Sequence, residues 1–120
     1  MSTGLFIAAV APGAKAAQKS HNILASLTMA QAALESGWGK HTYDGNNLFG
    51  IKSNGWKGRT VTIRTAKEDK NGNRYYINAA FRAYNSWADS IAGHAEFLSA
   101  IKRYANIIGC TNYRTACALI

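Results

Sequence analysis

Cysteine is scarce in this sequence, and the few cysteines present exclude the common cysteine-based sites. Cys110 and Cys117 are the only two among 120 residues. If the last segment is helical, a rise of about 1.5 Å per residue separates their alpha carbons by about 10 Å, beyond the limit of about 7 Å for a disulfide. No Cys-x-x-Cys pair and no Cys/His ligand spacing occurs. The sequence therefore predicts two free thiols, no structural zinc and no cofactor.

Long hydrophobic runs are also missing. No stretch approaches the roughly 20 apolar residues that a membrane-spanning helix needs. The short apolar run from Leu5 to Ala11 has no basic residue before it, whereas a signal peptide requires a positively charged start. We therefore expect a soluble chain that does not insert into a membrane and carries no export signal of its own.

Acidic residues are few, since 6 Asp and Glu stand against 14 Lys and Arg, a formal net charge of +8. Such an excess favours a polyanionic partner, which can be nucleic acid, an anionic membrane or an acidic cell-wall polymer. The basic residues are scattered and form no run longer than two. This dispersal argues against a basic arm, so nucleic acid is the least favoured partner and we predict none.

The first half of the chain has helical patterning, and 120 residues are expected to form one domain. Residues 3–10 predict a first helix that breaks near Pro12 and Gly13. From His21 to Leu34 there is no proline or glycine, and apolar residues recur at three- and four-residue spacing, which predicts a second helix. Those residues are Ile23, Leu24, Leu27, Ala30 and Leu34.

The second half predicts a loop, a β-hairpin and two more helices. Residues 37–58 hold six of the eleven glycines, which is typical of a loop. Residues 59–65 and 74–84 have strand patterning, and Asn71-Gly72 between them is a hairpin signal. Ser86 is the predicted N-cap of a third helix, and Thr111 that of a short helix from Asn112 to Ile120. The predicted fold class is α+β, mostly helical, with one β-hairpin lobe.

Glu35 is the strongest candidate for chemistry, because it precedes Ser36-Gly37-Trp38-Gly39 at the end of the second predicted helix. Unpaired carbonyls of a last helical turn oppose ionisation of a carboxyl, and the indole of Trp38 is expected to desolvate it. Both effects favour the protonated form that a general acid needs. A hairpin between helices leaves a cleft, and we expect Glu35 at its mouth. The alternative is a surface glutamate beside a glycine C-cap.

Several longer motifs occur in order along the chain. ASLTMAQAALESGWGKH is followed by NNLFGIK, Trp56-x-Gly58, AAFRAYNSWADSIAGHAEFL and RYANIIGC. In these motifs the chain, from about Phe6 to Ile120, resembles the bacterial glucosaminidases of glycoside hydrolase family 73. The resemblance implies a lysozyme-like fold with a helical lobe and a small β lobe. It also implies peptidoglycan glycan strands as partner, hydrolysis of the β-1,4 bond on the reducing side of N-acetylglucosamine, and Glu35 as general acid.

A second polar group is needed to activate water or to stabilise the transition state. By the resemblance this is a carboxylate on the hairpin, which maps onto Glu68, with Asp69 as the adjacent alternative. A solvated hairpin tip, in which both acids are simply exposed, is an equally good interpretation. Assistance by the N-acetyl group of the substrate, without a protein base, also stays open.

Aromatic and amide side chains are expected to bind the sugars, since they suit apolar ring faces and N-acetyl groups. A core role is the main alternative for Phe49, and for Asn47 it is a turn-stabilising role that also shapes the cleft. Trp87 and His94 are expected in the core. The predicted substrate-binding set is Trp38, Asn47, Phe49 and Trp56.

The end of the chain is a departure from the family pattern. Family members continue past the position of Ile120 with a Gly-Tyr-Ala-Thr-Asp-Pro segment whose tyrosine lines the active site. The resemblance therefore implies a catalytic domain truncated at its C-terminus, or one that lacks this tyrosine or replaces it with Tyr104 or Tyr113. Because Leu119 and Ile120 make the end apolar, we expect another segment or a second copy of the chain to cover it.

Three alternatives to a glucosaminidase stay open. A muramidase or a lytic transglycosylase can share the fold, and the transglycosylase releases an anhydro product. A truncated, non-catalytic domain would bind peptidoglycan without releasing reducing ends. In each case the resemblance implies action at the bacterial cell wall, periplasmic or extracellular.

Overall fold

The computed structural model describes residues 2–42 and 44–112. Helix α1 packs against both α2 and α3, and β1 and β2 pair antiparallel as a hairpin. The predicted α+β fold, with a helical lobe and a small β lobe, is confirmed. In chain order the elements are α1 (Thr3–His21), α2 (Ala25–Ser36), β1 (Thr60–Glu68), β2 (Arg74–Arg82), α3 (Trp87–Ala100) and a 3-10 helix (Lys102–Ile107).

Helix α1 runs unbroken through Pro12, so the predicted break at this position is wrong. Proline removes one backbone hydrogen bond, but the burial of four side chains along α1 outweighs that loss. Gly13 allows α3 to approach closely, because a Cβ there would lie 3.0 Å from Cδ1 of Ile91. The four buried side chains are Phe6, Val10, Ala14 and Ala17.

The second helix begins at Ala25, later than predicted, because Asn22 ends α1 in a left-handed conformation. Asn22 has a φ of 58°, and its N–H donates to the carbonyl of Gln18. Asparagine tolerates this conformation better than most residues. The side chain of Gln18 then accepts a hydrogen bond of 2.8 Å from the N–H of Ala25, which caps α2. The turn places Ile23 fully inside the core.

The hairpin forms where the sequence predicts it, although β1 extends to Glu68 and β2 ends at Arg82. Residues along β1 alternate between exposed and half-buried, as a strand with one covered face should. The turn is closed by a hydrogen bond of 3.0 Å from the N–H of Gly72 to the carbonyl of Asp69. Gly72 has a φ of 81°, which explains the need for glycine there.

Helix α3 begins at the predicted cap, since Oγ of Ser86 accepts a hydrogen bond of 3.1 Å from the N–H of Asp89. Ile91, Ala95 and Leu98 are buried against α1 and the rest of the core. Within residues 2–42 and 44–112, no helix has the length and apolar character to cross a membrane. Cys110 is a free thiol, as predicted.

The predicted final helix, with Tyr113, Cys117, Leu119 and Ile120, lies outside the described residues. The expected pairing of this end with a second copy of the chain therefore stays a prediction.

Candidate active site

Glu35 lies in the last turn of α2, as predicted, and its side chain is exposed. The helix ends at Gly37, whose φ of 57° is left-handed and whose N–H donates to the carbonyl of Ala33. Oγ of buried Ser36 donates to the carbonyl of Ala32 at 2.5 Å and accepts from the N–H of Gly39 at 3.0 Å. These contacts fix the helix end, so the Glu35 carboxyl projects from a rigid support.

A pocket of about 270 Å³ contains Glu35 and side chains from three other parts of the chain. Helix α2 contributes Glu35 and Gln31, which lie four residues apart on the same helical face. The loop after α2, helix α3 and the 3-10 helix supply mainly apolar and aromatic groups. These groups come from Phe49, Ile51, His94, Phe97, Leu98 and Tyr104.

The floor of this pocket is a stacked pair formed by Phe49 and His94, whose ring centroids are 3.8 Å apart. His94 is 4% exposed, and its burial lowers the pKa of the imidazole to about 4, so the ring is neutral at pH 7. Within the described part of the chain, Nδ1 of His94 and Oε1 of Gln31 are buried without a hydrogen-bond partner. The predicted core position of His94 is confirmed, but its place beside Glu35 was not foreseen.

The neutral state of His94 predicts an acid-sensitive fold. The imidazole has a pKa of about 4 in the folded chain and an ordinary value of 6.5 unfolded, so the unfolded chain binds the proton first. The free energy of unfolding should therefore decrease as the pH falls from 6.5 to 4. Denaturant unfolding at several pH values measures this, and His94→Phe should flatten the decrease. The control, His41→Phe at an exposed site, should retain it. Equal slopes in all three proteins would contradict the assignment.

Asn47 is fully buried and ties the loop after α2 to the hairpin. Its Nδ2 donates to the carbonyls of Ile51 at 2.8 Å and Arg82 at 3.0 Å, and its Oδ1 accepts from the N–H of Ile51 at 3.2 Å. The N–H of Leu48 donates to Oγ of Ser90 at 3.1 Å, which fixes the same loop to α3. This arrangement matches the turn-stabilising interpretation of Asn47 and holds Phe49 in the pocket.

Trp38 lies away from this pocket, in a groove between α1 and α2. Its ring meets Phe6 edge-on, with centroids 5.9 Å apart, and it is 42% exposed. A φ of 59° at Trp38 turns the chain so that the indole packs toward α1. In this arrangement Trp38 covers Phe6, and the expected desolvation of Glu35 by its indole has no support.

Glu68 and Asp69 lie at the far end of the hairpin, and neither belongs to the pocket that contains Glu35. Glu68 is the last residue of β1 and pairs with Arg74. Oδ1 of Asp69 accepts hydrogen bonds of 2.9 Å from the backbone N–H groups of Asn73 and Asn71. These bonds hold the pKa of Asp69 below its usual range, and the bond from Asn73 has the largest effect. The structure does not bring the two predicted catalytic carboxylates together with Glu35.

Trp56 lies in a larger neighbouring cavity of about 730 Å³, which shares Phe97 with the Glu35 pocket. Its Nε1 donates to the carbonyl of Arg59 at 3.0 Å, and its ring lies 5.5 Å from that of Tyr84. A Cβ on Gly58 would approach the indole to 2.5 Å, so glycine is needed beside it. The two cavities share the side chain of Phe97 on α3 as part of their lining.

Sequence reasoning missed Gln31, Phe97 and the pocket role of His94. Gln31 could have been found, because a residue four positions before Glu35 must share its helical face. The helical spacing of α3 predicts that His94 and Phe97 lie on one face of this helix. Only the packing of α3 against the loop shows that they reach the same pocket as Glu35.

Comparison with known proteins agrees with the fold. The glucosaminidase family profile, described as mannosyl-glycoprotein endo-beta-N-acetylglucosaminidase, matches residues 11–120. Exo-glucosaminidase LytG of Bacillus subtilis is 36% identical over 119 residues, which cover 93% of this chain and 42% of that protein. Peptidoglycan hydrolase FlgJ of Escherichia coli K12 is 36% identical over 109 residues, 85% of this chain and 34% of that protein. The chain thus spans less than half the length of these relatives.

Solved structures show the same fold. The glycoside hydrolase domain of Salmonella typhimurium FlgJ superposes with a TM-score of 0.83 at 27% identity, over 99% of this chain and 74% of that one. The catalytic domain of the autolysin Auto from Listeria monocytogenes gives a TM-score of 0.83 at 31% identity, over 98% and 71% of the two chains. Since the family profile covers nearly the whole sequence, the chain belongs to the glucosaminidase family.

Proposed function

We propose that this chain hydrolyses the β-1,4 bond on the reducing side of N-acetylglucosamine in peptidoglycan, with Glu35 as the general acid. The observation that carries the proposal is the exposed carboxyl of Glu35 on a fixed helix end, in a pocket with aromatic and amide side chains. Relatives of this chain are named exo-glucosaminidase and peptidoglycan hydrolase, which supports the same substrate.

In this mechanism the Glu35 carboxyl protonates the leaving glycosidic oxygen, and positive charge develops on the sugar ring. Phe97 offers an apolar ring to the sugar, and the amide of Gln31 can pair with polar sugar groups. Phe49 is 9% exposed and stacks on His94, so it contributes mainly to the support of the pocket. Tyr104 lines the same pocket and is our candidate for an active-site tyrosine. These groups orient the glycosidic bond toward the acid.

The other predicted sugar-binding residues take different places in this proposal. Trp56 lines the adjacent cavity and can contact the next sugar of the strand. Trp38 borders the α1–α2 groove and would act only at the outer edge of the site. Asn47 acts through the loop that it holds, because a direct sugar contact would need its buried amide to leave three backbone partners.

Glu68 is the better candidate for the second carboxylate, since Asp69 already uses an oxygen to close the turn. Glu68 can act only if the hairpin moves toward Glu35 when substrate binds. We predict that Glu68→Gln lowers kcat about tenfold or more with a smaller change in KM. In contrast, Asp69→Asn should weaken the hairpin turn.

Steady-state kinetics on soluble glycan strands measure the effect of Glu68→Gln. Arg74→Gln, opposite Glu68 on β2, is the matched control for altered strand pairing. Unchanged kcat in Glu68→Gln would move the role to the acetamido group of the substrate itself.

A lytic transglycosylase and a non-catalytic binding domain are the competing functions. The transglycosylase shares the single acid but uses no water, so its product is an anhydro sugar. A binding domain would retain strands without cutting them. The net charge of +8 suits all three, since it attracts the chain to anionic wall polymers, where we propose that it acts.

Digestion of purified peptidoglycan tests the proposal. Reduction of the products with borohydride marks the new reducing sugar, which mass spectrometry then identifies. We expect N-acetylglucosaminitol at the new ends. Muramitol would show a muramidase, anhydro ends a transglycosylase, and no new ends a binding domain.

A further inference from the structure

The larger cavity beside the Glu35 pocket has a chemistry that the proposed cleavage does not require. Its volume is about 730 Å³, and its wall at Phe97 is shared with the Glu35 pocket. The second cavity therefore adjoins the Glu35 pocket at this side chain. The lining includes Trp56, Lys57, Arg82, Glu96, Phe97 and Ile101.

Arg82 is held in this cavity by three contacts. Its Nε donates to the carbonyl of Lys52 at 3.0 Å. Its guanidinium carbon lies 5.0 Å from the ring centroid of Trp56 and 5.4 Å from that of Phe97. The two aromatic rings and the carbonyl orient the planar group before any ligand arrives, which lowers the entropy lost on binding.

The charges of the cavity favour an anion. Arg82 and Lys57 supply two positive charges, and Glu96 supplies one negative charge. The bond to Lys52 uses Nε, and the guanidinium also lies beside the Tyr84 hydroxyl. The Nη donors of Arg82 provide the fork that matches a carboxylate. The apolar surfaces of Trp56 and Phe97 suit the sugar ring or methyl group that carries this carboxylate.

In peptidoglycan, the sugar next to N-acetylglucosamine is N-acetylmuramic acid, whose lactyl ether ends in a carboxyl group or in the peptide joined to it. Resting on the proposed function, we propose that Arg82 binds an acid of this lactyl branch and so selects the muramic acid unit beside the cut bond. The positive charge of Lys57 adds to the attraction for this acid, and the negative charge of Glu96 reduces it.

Two substrates that differ only in this acid test the proposal. Glycan strands freed of peptide carry lactyl carboxylates, and coupling to methylamine converts these to neutral amides. We expect the unmodified chain to show a kcat/KM at least about tenfold higher on the acid strands. Arg82→Met should reduce this ratio to about one.

Two further variants make the test specific. Glu96→Gln, at an exposed position, removes a negative charge that repels the ligand carboxylate, so it should raise the preference for the acid strands. Arg64→Met is the matched control, because Arg64 also stacks on an aromatic ring, that of Tyr76 at 4.0 Å, but on the hairpin. Arg64→Met should keep the original ratio. If Arg82→Met fails to fold, Glu96→Gln alone decides, and an unchanged ratio in that variant overturns the proposal.

A binding measurement separates this proposal from the proposed function. N-acetylmuramic acid and its methylamide are titrated into the unmodified chain and followed by NMR. Weaker binding of the methylamide, with chemical-shift changes at Trp56 and Phe97, supports recognition of the acid in this cavity even if no glycosidic bond is cut. Equal affinities, or a preference that survives in Arg82→Met, would overturn it.

Discussion

Glu35→Gln should lower kcat on peptidoglycan by at least about a hundredfold, because glutamine keeps the shape of the side chain and removes the acidic proton. The carboxyl is exposed on a fixed helix end, so the fold does not depend on it. Binding of strands and the unfolding midpoint should therefore change little. Initial rates of reducing-end release, together with a thermal unfolding curve, measure both expectations.

Two variants calibrate this result. Asp44→Asn removes an exposed carboxyl from the loop between α2 and β1 and should leave kcat within about twofold. Glu35→Asp keeps an acid on a shorter side chain, so partial activity is expected from it. If Glu35→Gln retained the rate of the unmodified chain, another residue would have to supply the proton.

Asn47→Ala should destabilise the chain by about 3 kcal/mol, since it leaves buried backbone groups without their partners. The side chain makes three hydrogen bonds to Ile51 and Arg82, and both of its amide atoms take part. Asn47→Asp should cost at least as much, because it places a carboxylate oxygen against two carbonyl oxygens. Chemical denaturation measures both effects.

The control is Asn78→Ala, at an exposed position of β2, which should change stability by less than about 0.5 kcal/mol. Kinetics distinguish the two roles of Asn47. If this amide bound a sugar directly, Asn47→Ala would raise KM while the unfolding midpoint stayed the same. That pattern would contradict the positioning role assigned here.

Local signals in the sequence predicted much of this fold. Ser86 caps α3 as expected, because a cap depends on only three neighbouring residues. The Asn71-Gly72 turn is equally local, because it depends on the positive φ of Gly72, which glycine adopts without strain. The position of Glu35 in the last helical turn is also predictable, because Gly37 is a strong helix stop.

The remaining features depend on long-range packing. Helix α1 continues through Pro12 while it packs against α2 and α3, and the sequence of α1 alone cannot show this packing. Trp38 follows Glu35 closely, yet its backbone conformation turns the indole toward Phe6. The distance of Glu68 from the pocket follows from the length of the hairpin, which exceeds the prediction by three residues on β1.

The most direct test of the account is digestion of peptidoglycan in water labelled with heavy oxygen, by the unmodified chain and by Glu35→Gln. Hydrolysis adds water at the cut bond, so mass spectrometry should find the label on C1 of a new reducing N-acetylglucosamine, and the Glu35→Gln digest should lack it. Unlabelled anhydro products, or labelled N-acetylglucosamine formed equally by Glu35→Gln, would contradict a glucosaminidase that uses Glu35 as its acid.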